Sequence, residues 1–73
     1  MTVDEWLKAF AAELGVAPPT AEEVDVLLRV ASTAAHAAER QAAPISCWLV
    51  GRVGVSPAAA LEAATRVAGD ATA

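Results

Sequence analysis

The chain reads as an all-α protein, a compact antiparallel bundle of four helices at about residues 3–14, 21–40, 44–54 and 57–68, forming one domain over 1–73. Three observations predict this. A Thr-x-x-Glu box occurs twice, at Thr2 to Glu5 and at Thr20 to Glu23, and in each the two side chains satisfy otherwise orphaned backbone N–H groups of a first helical turn. Apolar residues recur at intervals of three and four and nowhere alternate, so no strand is signalled. The breaks between these segments contain or adjoin Gly or Pro and run to only two to six residues, which makes sequential helices antiparallel neighbours.

In the first helix Val3, Trp6, Leu7, Phe10 and Leu14 lie at i, i+3, i+4, i+7 and i+11, one face of a helix. Gly15 stops it, and Pro18-Pro19 make a short rigid link, because adjacent prolines cannot extend a helix and hold the preceding residue extended.

The second helix, opening at Thr20 and reaching Arg40, organises the rest. It contains neither Gly nor Pro, and its apolar residues fall on two faces: Val24, Leu27, Leu28, Ala31, Ala35 and Ala38 on one, Val26, Val30, Ala34 and Ala37 on the other. A helix apolar on more than one stripe is covered by more than one neighbour. The remaining edge carries Asp25, Arg29, Ser32, His36, Glu39 and Arg40, and it faces solvent in this reading.

Pro44 belongs in the first turn of the third helix, where its missing N–H costs nothing; in a helix interior it would cost about 3 kcal/mol. Ile45, Trp48, Leu49 and Val53 then give this helix a buried face, weakened by Gly51 and ended near Gly54. Ser56-Pro57, an N-cap followed by a first-turn proline, opens the fourth, which presents Leu61, Ala64, Val67 and Ala68. Gly69 closes it and leaves 70–73 frayed.

Composition limits the core and the functions. Of 73 residues 56% are apolar, but many are Ala, which buries little area. The large contributors are Trp6, Leu7, Phe10, Leu14, Val24, Leu27, Leu28, Ile45, Trp48, Leu49, Val53, Leu61 and Val67. Cys47 is the only cysteine, so no disulfide supplements that core, and association into a homodimer is the expected remedy. A net charge of -4 argues against nucleic acid and against anionic membranes. Asp4 and Glu5 stand where a signal peptide would carry Lys or Arg, and no apolar run is long enough to span a bilayer, so the expected location is cytoplasmic.

Motifs that carry catalysis are absent. There is no Gly-rich phosphate loop, no Gly-x-Ser-x-Gly elbow and no His-Glu-x-x-His, and one His with one Cys on different helices is poor material for a metal site. Small acidic helical chains include acyl carrier proteins, but Ser32, Ser46 and Ser56 all lack the Asp-Ser-Leu setting of the carrier serine. The sequence therefore predicts neither an enzyme nor a cofactor or metal.

Polar chemistry concentrates on the second helix. His36, Glu39 and Arg40 at i, i+3 and i+4 would share one face, with Arg29 two turns earlier and Arg52 approaching from the third helix. Guanidinium groups bind phosphate or carboxylate bidentately, so these residues are candidates for an anion site. Weighed against that is an ordinary solvated face, the commoner arrangement. Trp48 falls in core register with Ile45, Leu49 and Val53; exposed instead, it would be an interface anchor, the residue type most enriched at binding hot spots. Cys47 reads as a small buried hydrophobe.

The run Val3-Asp4-Glu5-Trp6-Leu7, together with His36-Ala37-Ala38-Glu39-Arg40-Gln41-Ala42-Ala43-Pro44 and an apolar third helix containing Gly51, resembles a small uncharacterised all-helical domain of high-GC bacteria. That domain occurs alone and as the C-terminal extension of proteins resembling molybdenum cofactor guanylyltransferase. The likeness extends from Val3 to about Gly54; where the family pattern often has Thr after the Pro-apolar pair, this chain has Ser46 and Cys47. What the resemblance implies is context, a link to maturation of the molybdopterin cofactor or of the enzymes that carry it. Guanylyl transfer itself is not implied, since the Gly-rich nucleotide-binding part is missing. The leading expectation is a non-catalytic accessory module that binds a protein partner, with an anion-binding domain built on the His36 and Arg40 face as the alternative.

Overall fold

A computed structural model describes the backbone of residues 1–72 and the side chains of 1–69. It contains four helices, α1 (Val3–Leu14), α2 (Ala21–Ala37), α3 (Ala42–Val53) and α4 (Pro57–Thr72), and no strand among the described residues.

Both Thr-x-x-Glu boxes close as the sequence predicts. Glu5 N–H donates to Thr2 Oγ1 at 3.1 Å while Thr2 N–H donates to Glu5 Oε1 at 2.9 Å. The pair at Thr20 and Glu23 repeats the geometry at 3.1 and 2.8 Å. Gly15 ends α1 in the left-handed region at φ 76°, and the N–H groups of Gly15 and Val16 return to the carbonyls of Ala12 and Ala11. That paired return is the Schellman closure, and it needs a residue without a Cβ at the turn. Ser56 Oγ accepts from Ala59 N–H at 3.1 Å and so caps α4.

Two boundaries differ from expectation. α2 stops at Ala37, three residues short of Arg40, and α3 starts at Ala42, two residues ahead of Pro44. The cause is the connection itself. Ala42 and Ala43 donate to the carbonyls of Glu39 and Arg40 at 2.9 and 3.1 Å, so those carbonyls serve the entry to α3. Ala38, at φ -123° and ψ -94°, has already left the helical region, so Glu39 and Arg40 belong to the connection and not to α2. Pro44 still lies in the first turn of α3, where no intrahelical N–H is required. At the other end α4 passes through Gly69 to Thr72, because a helical Gly costs only about 1 kcal/mol relative to Ala and neighbouring Ala residues favour the helix. The fraying expected from Asp70 is therefore not found up to Thr72, and Ala73 lies outside the described residues.

α2 packs against α3 and against α4, and among the described residues no other pair of helices shares more than a marginal contact. The single long helix held on two sides is thus the architecture, with Asp25, Arg29, Ser32 and His36 on its exposed edge. Thr20, Glu22 and Val26 of the α2 start lie beside Ser56, Pro57 and Ala58 of the α4 start, so these two helices run in the same direction and α3 runs back between their ends. Among the described residues the buried ones are Ala11, Val30 and Ala60, and Val30, 2% exposed, is the only one of them larger than Ala. Most of the expected large contributors are not core: Trp6, Phe10, Leu14, Leu28, Ile45, Trp48, Leu49, Val53 and Val67 are all exposed. Helical spacing identified their faces correctly, but the chain supplies no second helix to cover α1 and does not bring α3 against α4.

The shape follows. The radius of gyration is 13.0 Å, against roughly 11 Å for a globule of this length. One axis extends 41 Å against 23 and 18 Å for the others, as expected when a helix stands outside the packed group.

Two outcomes test this description. Val30→Ala removes two methyl groups from the one fully enclosed large side chain, and chemical denaturation should show a loss of roughly 1–3 kcal/mol, whereas Leu28→Ala on the exposed side should lose far less. The Thr2 backbone N–H, helped by the Thr2 side chain, holds the Glu5 carboxyl below the usual carboxylate range. A depressed carboxyl contributes its stability fully above its unfolded pKa, about 4.3, and loses it as pH falls through the lower folded value. Amide resonances of the first turn of α1 should therefore broaden once pH falls below the ordinary carboxylate range, and Glu5→Gln, which keeps an acceptor in the box, should remove that pH dependence.

Candidate functional site

The residues expected to form a polar site are not gathered into one. His36 closes the last turn of α2, but Glu39 and Arg40 lie in the following connection, so the i, i+3, i+4 spacing no longer places the three on one helix face. His36 Nδ1 is 2.7 Å from the Ser32 carbonyl and 3.3 Å from Ser32 Oγ. A ring nitrogen can bond a carbonyl only by donating, so Nδ1 carries a proton and Nε2 is the nitrogen left to solvent. Arg29 pairs with Asp25 at 3.2 Å within its own helix, an exposed i, i+4 pair worth a few tenths of a kcal/mol. Arg52 lies over the Trp48 ring, its guanidinium carbon 5.1 Å from the centroid. Of the three arginines expected at the site, Arg29 and Arg52 are thus engaged locally and Arg40 lies in the connection after α2. Among the described residues no group of three His, Cys, Asp or Glu side chains is placed to hold a metal ion. Cys47 is half-buried, with Sγ 4.0 Å from the Leu27 carbonyl across the α2 and α3 contact.

The surface that stands out is apolar and has two parts. On α1, Trp6, Phe10 and Leu14 are 54%, 46% and 60% exposed, in line with Val3 along one face. The Trp6 and Phe10 rings stack on each other, centroids 5.6 Å apart with planes at 19°, so the two aromatics one turn apart form a continuous ridge. Beside that ridge Leu7 is half-buried and Ala11 buried, so α1 is covered along one side while the ridge itself stays open.

The second part is an open groove of about 570 Å³ between α3 and α4, with α2 as its floor. Val30, Ala34 and Ala37 of α2 form the bottom, Leu49, Val50 and Val53 of α3 one wall, and Ala60, Ala63, Ala64 and Val67 of α4 the other. It exists because α3 and α4 each pack on α2 without packing on each other. Its polar lining is limited to Thr33 and Ser46, and the Thr33 hydroxyl is already donated to the Arg29 carbonyl at 2.8 Å. Such a groove is suited to apolar side chains and not to a charged ligand.

Trp48, expected in the core by its spacing, is 59% exposed on the same helix. Its ring is therefore open to solvent and not part of the core. In total the chain exposes 5523 Å², about 1300 Å² above the roughly 4200 Å² that surface scaling gives for a monomeric protein of 7.4 kDa. Periodicity could not reveal the groove, since it reports which side of a helix is apolar and not which other helix, if any, covers it.

The Trp48 and Arg52 pair has a measurable signature. In a Trp6→Phe background, Arg52→Ala should raise acrylamide quenching of Trp48 fluorescence while costing no more than about 0.5–1 kcal/mol of stability, the range of an exposed cation–π contact.

No helix among the described residues is long and apolar enough to cross a membrane. No curated protein and no solved structure matches the chain. A family model does match, over residues 1–73. The chain belongs to the family described as "Domain of unknown function (DUF6457)".

Proposed function

We propose that this domain is a non-catalytic accessory module that acts by holding another polypeptide against its apolar helical surfaces. The observation that carries the reading is the combination of an unpartnered aromatic ridge on α1 with an open apolar groove between α3 and α4. Contiguous exposed apolar surface on this scale marks interaction sites in soluble proteins. The resemblance carried by His36 to Pro44 supplies the setting: a cytoplasmic role beside molybdenum cofactor proteins, on or next to a nucleotidyltransferase or a molybdoenzyme. The competing anion-binding reading draws less support, because Arg29 is engaged by Asp25, Arg52 lies on Trp48 and Arg40 has left the helix that was to present it.

Photo-crosslinking of the full chain in its native cell tests the proposal, with the reactive group placed at Trp48 and, separately, at Phe10. Adducts to a molybdenum cofactor nucleotidyltransferase or molybdoenzyme, lost in Leu14→Asp or Val53→Asp variants, are the expected result. Adducts only to other classes of protein would reject the molybdenum setting. Adducts to nothing but the chain itself would reject the accessory role.

A further inference from the structure

We draw no further inference here: the strongest candidate, the open apolar groove that α3 and α4 form over α2, together with the exposed Trp6 and Phe10 ridge of α1, is an unpartnered apolar surface, and nothing in the structure shows what covers it.

Discussion

The contact on which the structure depends is the burial of one side of α2, centred on Val30, between α3 and α4. A core this small allows few arrangements. With Ala60 as the close-packed partner on α4 and half-buried residues such as Ala34 and Val50 around it, α2 can be gripped from two directions, but there is not enough bulk to draw the gripping helices together. Ala contributes helix propensity at little cost in side-chain entropy while burying little area. The chain therefore forms helices readily and covers them incompletely. The groove, the exposed Trp48 and the outlying α1 are one consequence of that composition.

Local features were legible in the sequence because they are set by groups a few residues apart. The capping boxes at Thr2 and Thr20, the Gly15 turn and the Ser56 cap depend only on their own neighbourhoods, and all four are where the pattern placed them. The end of α2 was misplaced for the converse reason: the carbonyls of Glu39 and Arg40 are claimed by the next helix, and nothing in the periodicity of α2 carries that information. That shift also removed the expected alignment of His36, Glu39 and Arg40, so one error of three residues at a helix end dissolved the candidate polar cluster.

Long-range features were legible only by half. The sequence shows that Trp6, Phe10 and Leu14 share a stripe and that Leu49 and Val53 share another; whether such stripes meet is a property of tertiary packing. In a chain with ample bulk they would meet, and the two readings would coincide. Here they part company, and the residues that fail to become core are those that form the exposed apolar ridge and groove. Trp48 shows the same ambiguity in a single side chain, apolar enough to be inside and, with Arg52 against its ring, placed at the rim.

The joint from Gly15 to Thr20 gives the first helix the character of a rigid lever. Its swing is fixed by backbone geometry laid down when the chain leaves the ribosome. Where the aromatic ridge stands relative to the groove is then held in the span of six connecting residues more than in any contact that α1 makes. Lengthening or trimming that span would re-aim the ridge, with the packing of α2 against α3 and α4 left as it is.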